Sequence, residues 1–122
     1  MKRFSTCPIA LLAMLVFASS AHATVLRVIV VESSDVAAYT KELEKIRAGI
    51  ARIGGKEVLR FWRARFAGQN AGQLVVSVEY PDLAYFAAED AKMRADAELA
   101  ATLKDLDRIR KIVSDSLYDE VK

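Results

Sequence analysis

A chain of 122 residues with 18 basic and 16 acidic side chains makes one domain. Its formal charge of +2 gives little support for nucleic-acid binding, which rests on phosphate neutralisation. His22 and Cys7 are its only histidine and cysteine, so histidine- and thiol-based catalysis depends on whether the first two dozen residues stay attached.

The opening residues read as a secretory signal. Lys2 and Arg3 make a basic start, Ile9 to Phe17 is an apolar core too short for a membrane span, and Ala21-His22-Ala23 supplies the small residues that signal peptidase needs. Cleavage is predicted after Ala23, giving a periplasmic or secreted protein of residues 24–122. An uncleaved N-terminal anchor is the alternative. Cys7 precedes the apolar core, so it is not a lipidation cysteine. Cleavage leaves no histidine, no cysteine, and 16 basic against 16 acidic side chains. Triad catalysis, His-ligated haem, His/Cys zinc sites and disulfides are then excluded. No glycine-rich phosphate motif is present.

Val25 to Glu32 (VLRVIVVE) reads as a strand, and its almost unbroken apolar run predicts a central one covered on both faces. Ser33, Ser34 and Asp35 are candidate caps for a helix whose stripe is Val36, Tyr39, Leu43, Ile46, Ile50 and Ile53. Gly54-Gly55 ends it. Glu57 to Phe66 is a second strand, and the turn-rich Ala67 to Gly72 returns the chain through Gln73 to Tyr80 as a hairpin. Pro81-Asp82 opens another helix. A break is predicted at Arg94 to Asp96, where Asp96 caps a segment carrying Leu99, Leu103 and Leu106. Lys111 to Val121 is the last strand.

The order βαββαβ predicts an α+β domain of ferredoxin-like type: a four-stranded antiparallel sheet with both helices on one face. Alternation assigns Leu26, Val28 and Val30, with Leu74, Val76 and Val78, to the helix side. It leaves Arg27, Ile29 and Val31, with Val75, Ser77 and Glu79, on the bare side. A face that mixed invites a second copy to stack on it.

FWRARFAG (Phe61 to Gly68), VEYPD (Val78 to Asp82) and RADAEL (Arg94 to Leu99) make the chain resemble the dimeric α/β-barrel proteins. These include the antibiotic-biosynthesis-monooxygenase-like, NIPSNAP-like and EthD-like domains. The resemblance implies a homodimer with a cavity between the sheets or between sheet and helices. Some relatives oxidise polyketide-like aromatics without a cofactor. Others degrade haem through a histidine ligand that residues 24–122 lack. No cofactor is expected.

Several side chains could line a cavity. Trp62 can stack a flat ligand or be a large interface residue. Arg60 can bind a carboxylate or, with Arg63 and Arg65 on the opposite side of the strand, blunt a sheet edge. Arg27, Ser77 and Glu79 can meet an anion or form an ion pair in the dimer seam. Tyr118 can reach the cavity or a partner chain, whereas Tyr39 belongs to the helix stripe. Asp115, Asp119 and Glu120 lack the spacing of a calcium loop, so no metal is expected. The expected role is a secreted homodimer that binds a small apolar or aromatic molecule. A cofactor-independent monooxygenase and a non-catalytic assembly module are the alternatives. Neither nucleic acid nor, after cleavage, membrane is an expected partner.

Overall fold

A computed structural model describes residues 23–65 and 68–122. The predicted signal peptide, with Cys7 and His22, lies outside them except for Ala23. The elements are β1 (Val25–Glu32), α1 (Val36–Arg52), β2 (Val58–Arg63), a 3-10 turn (Gly68–Asn70), β3 (Leu74–Tyr80), α2 (Leu83–Ala95), α3 (Ala97–Ile109) and β4 (Lys111–Asp119). The strands form one antiparallel sheet in the order β2-β3-β1-β4. The second strand is shorter than predicted, ending at Arg63 rather than Phe66.

Local chemistry sets the helix boundaries. The carboxylate of Asp35 accepts from the Ala38 amide at 2.9 Å, and that of Asp82 accepts from Tyr85 at 2.7 Å. Gly54, at φ 78°, takes the left-handed turn that ends α1. The predicted break falls at Asp96, whose extended backbone (φ −82°, ψ 118°) stops α2 while its carboxylate caps α3 through Leu99 N at 3.0 Å. Arg52 of α1 donates to both oxygens of Asp96, at 2.9 and 2.7 Å. That guanidinium holds the Asp96 carboxyl down to about 2. A depressed carboxyl stabilises the fold above its unfolded value near 4 and stops doing so as pH falls toward 2. Asp96→Ala should therefore lower the urea midpoint at pH 7. The difference from wild type should vanish by pH 2, and an equal difference at both pH values would refute this account.

Register determines which residues meet the helices. Val25 pairs with Tyr80, Arg27 with Val78, Ile29 with Val76 and Val31 with Leu74. The odd residues of β1 thus share the helix side with the even residues of β3. The predicted face of β3 is correct, and that of β1 is inverted. Every β1 position from 25 to 31 except Arg27 is apolar, so alternation carried no phase. Pairing with β3 sets the phase instead, and it is the opposite of the one assigned. The core joins Val25, Ile29, Val31, Leu59, Leu74, Val76, Val78 and Tyr80 of the sheet to Tyr39, Leu43, Ile46 and Ile50 of α1 and Leu99 and Leu106 of α3. Each buried aliphatic side chain contributes about 1.5–3 kcal/mol. β1 is central, as expected, but the described chain covers it on one face only.

Candidate functional site

The bare face of the sheet is a grid of three rows. Val58, Glu79, Leu26 and Tyr118 form one; Arg60, Ser77, Val28 and Ser116 the next; Trp62, Val75, Val30 and Ser114 the third. Five of the six predicted site residues therefore share this face: Arg60, Trp62, Ser77, Glu79 and Tyr118. Trp62 Nε1 donates to Ser77 Oγ at 2.8 Å, and Arg60 Nη1 lies 3.4 Å from Glu79 Oε2. Trp62 is 51% and Tyr118 55% exposed, so large aromatic surface faces solvent beside half-buried valines. A shallow depression at one end is lined by Leu26, Glu79 and Tyr118.

Arg27, the sixth, stands on the opposite face and does not join Ser77 and Glu79. It projects among apolar neighbours toward the helices, where an unpaired charge would be costly. Its partner is Asp115 of β4: Nε donates to Oδ1 at 2.9 Å and Nη2 to Oδ2 at 2.7 Å. This two-pronged contact keeps the Arg27 pKa above the ordinary arginine value and the Asp115 carboxyl below the usual carboxylate range. Asp115 was grouped by sequence with Asp119 and Glu120; its charge instead serves Arg27. Among the described residues no group of three or more His, Cys, Asp or Glu side chains is placed to hold a metal.

Beside Arg27 lies a cavity of about 220 Å³ between sheet and helices. The sheet contributes Ile29, Leu59, Val76 and Val78. The helices contribute Leu43, Ile46 and Ile50 from α1, Met93 from α2, and Leu103 and Leu106 from α3. Its polar lining is Arg27, Tyr80, Asp90, Arg94 and Arg110. Arg94 Nε donates to Asp90 Oδ2 at 2.9 Å, while Arg110 donates to Asp107 through Nε and Nη2 at 3.3 and 3.2 Å. The Arg94 side chain is 74% exposed, which places it at the mouth, and the Arg110 side chain is largely buried. Burial pushes the Tyr80 phenol up to about 12, so Tyr80 stays protonated near neutral pH. Phe86 stacks edge-on against it at 5.0 Å.

Sequence reading missed Asp90, Arg94 and Arg110. All three lie on or just beyond helices whose polar faces look solvated in isolation. The one available signal was Arg27 itself, a charge inside an apolar central strand. Tyr39 is fully buried on the α1 stripe, as predicted, and meets Phe61 edge-on at 5.7 Å.

A second buried polar cluster lies where α1 turns into β2. Glu57 is 9% and Glu89 3% exposed, and each has one oxygen, Oε1, with no hydrogen-bond partner among the described residues. Tyr85 Oη donates to Glu57 Oε2 at 3.3 Å, and Lys92 Nζ is 3.9 Å from Glu89 Oε2. Burial, reinforced by the Glu89 charge, raises the Glu57 carboxyl above its ordinary value.

No helix among the described residues is long and apolar enough to cross a membrane. No family model matches the chain, and no curated protein matches it in sequence. Among solved structures the chain is similar to a NIPSNAP family protein from Agrobacterium tumefaciens. The TM-score is 0.56 at 16% identity, over 83% of this chain and 87% of that one. It is similar also to a conserved protein of unknown function from Bacteroides thetaiotaomicron, described as a possible oxidoreductase. There the TM-score is 0.54 at 9% identity, over 82% of this chain and 100% of that one. Identities this low speak for the backbone alone. The chain is a ferredoxin-like α+β domain, with the fold of a NIPSNAP family protein.

Proposed function

We propose that this is an exported, homodimeric domain that binds a small molecule in the cavity between sheet and helices. The observation that carries the reading is the cavity itself: about 220 Å³, lined mainly by apolar side chains with a few charged ones among them. Most binding sites have this form, a concave apolar wall with a few convergent polar groups. It exceeds the roughly 150 Å³ that suffices to hold a benzene ring in an engineered apolar cavity. The location differs from the bare-face pocket expected from sequence: Arg27, Ile29 and Val31, assigned to that face, turn toward the helices, and Leu26, Val28 and Val30 take their place.

The bare face supports the dimer. Leu26, Val28, Val30, Val58, Trp62 and Val75 make an apolar field, and the Arg60–Glu79 pair lets one copy meet another without net repulsion. Val28→Glu, at the centre of the grid, is expected to shift the protein from dimer to monomer in sedimentation while leaving its circular dichroism unchanged. A buried unpaired charge costs about 3–5 kcal/mol, a weakening of roughly 10²- to 4 × 10³-fold. A wild-type monomer at high concentration would overturn the dimer.

Methyl NMR during a toluene titration tests the cavity. Shifts at Ile46, Leu59, Val76 and Leu103 are expected. Shifts confined to Val28, Val30 and Val75 would move the site to the bare face and overturn this assignment. Export rests on Lys2, Arg3, the apolar run 9–17 and Ala21-His22-Ala23. A mature N-terminus at Thr24 in the exported protein supports it, and retention of Met1 overturns it.

A further inference from the structure

We infer that the cavity selects a small monoanion with an apolar body, a single ring bearing a carboxylate, held by Arg27 and by Arg94 at the mouth. This rests on the cavity being a binding site, and it adds the chemistry of the ligand.

The position of Arg27 is the starting point. Its lateral neighbours on the helix side are Val78 on β3 and Leu117 on β4, with Leu59 beyond Val78. An apolar side chain would complete that row. A partly exposed ion pair such as Arg27–Asp115 contributes only about 0–1 kcal/mol, so stability does not account for a guanidinium here. The Arg27 side chain is 28% exposed, which leaves it within reach of a molecule in the cavity.

Each arginine is paired with one carboxylate, Arg27 with Asp115, Arg94 with Asp90 and Arg110 with Asp107, so the balance of hydrogen-bond donors and acceptors in the lining, not net charge, decides the sign of the ligand. Three arginines line the cavity against one carboxylate, Asp90, and Asp90 already receives Arg94 Nε. The carboxylates of Asp115 and Asp107 engage Arg27 and Arg110 without lining the cavity. Each pairing leaves donors over. Arg27 and Arg110 bond their carboxylates through Nε and Nη2, and Arg94 through Nε, so Nη1 of each and Nη2 of Arg94 make no hydrogen bond to a carboxylate among the described residues. A cation would find a single carboxylate in the lining, Asp90, with one oxygen already taken by Arg94. A carboxylate would meet donors from a strand and a helix, Arg27 and Arg94, and charge-assisted bonds are about twice as strong as neutral ones. The protonated Tyr80 phenol adds another donor group to the lining. The aliphatic walls then take the ring.

The test compares toluene, benzoate and benzamide by calorimetry and methyl NMR on the whole protein. Benzoate is expected to bind about tenfold more tightly than benzamide, with shifts at the cavity methyls. Arg94→Met, at an exposed position that leaves the fold intact, is expected to weaken benzoate about tenfold and leave toluene unchanged. Toluene binding with benzoate no better than benzamide would overturn this inference and leave the cavity reading standing. Benzoate binding unaffected by both Arg94→Met and Arg27→Met would also overturn it. Failure of all three probes to shift the cavity methyls would remove both.

Discussion

Gly49→Ala is expected to destabilise the fold by about 1–3 kcal/mol, the usual cost of overpacking, although alanine is the better helix former by about 1 kcal/mol. Gly49 lies where α1 crosses α3. A β-carbon there would meet the Leu99 side chain, 2.8 Å from Cγ and closer still to Cδ2. Leu99 is 1% exposed and part of the core, so it cannot swing aside without opening space elsewhere. Leu99→Ala alone is expected to cost about 2–5 kcal/mol through lost burial and the cavity left behind. The two changes should not add: with Leu99 shortened, the methyl introduced by Gly49→Ala fills space instead of colliding. The double variant is expected to be more stable than the sum of the singles by about 0.5–3 kcal/mol. Denaturant unfolding of the four proteins measures this, and strict additivity would show that the helices do not touch at this point.

The second large effect concerns Glu57. Its carboxyl is raised by burial and by the Glu89 charge, so folding favours its protonated form. The stability this confers is complete below the unfolded glutamate value near 4.3 and is lost as pH rises through the higher folded value. As pH rises the native state must carry a charged Glu57 beside Glu89, and Glu57 Oε1 has no hydrogen-bond partner among the described residues. A buried unsatisfied group costs about 1–3 kcal/mol. Glu57→Gln keeps the side-chain length and an oxygen to accept from Tyr85. It should therefore exceed wild type in urea midpoint at pH 8 and match it near pH 4. Parallel curves for the two proteins across that range would show that Glu57 is ionised and satisfied in the native state.

Much of the architecture was legible because local rules suffice for it. The α1 stripe from Val36 to Ile53, the turn-rich segment before β3, the Pro81-Asp82 start and the Asp96 break each depend on residues within one or two turns. The hairpin and the strand–helix order then leave few topologies. The shortened β2 was not legible, because Arg63 to Phe66 alternates as a strand does whether or not a partner strand is present. The face of β1 was not legible either. VLRVIVV is apolar on both sides, and its phase is set by pairing with β3, about 50 residues away in the chain.

The candidate site divides the same way. Arg60, Trp62, Ser77, Glu79 and Tyr118 fall together because strand alternation and antiparallel pairing bring them to one surface. Arg27 went astray with the phase of its strand. Asp90 and Arg94 come from α2, Arg110 from the end of α3 and Asp115 from β4, and no spacing in the chain relates them to Arg27.

The amino-acid order alone determined the succession of elements, the breaks between them and the ferredoxin-like class, since periodicity, caps and turns act over a few residues. Only the tertiary structure decided that Arg27 faces inward beside Asp115 and that an apolar cavity with three arginines lies between sheet and helices. Strand register and helix packing are long-range choices, made by the burial of whole surfaces rather than by any residue's neighbours in sequence.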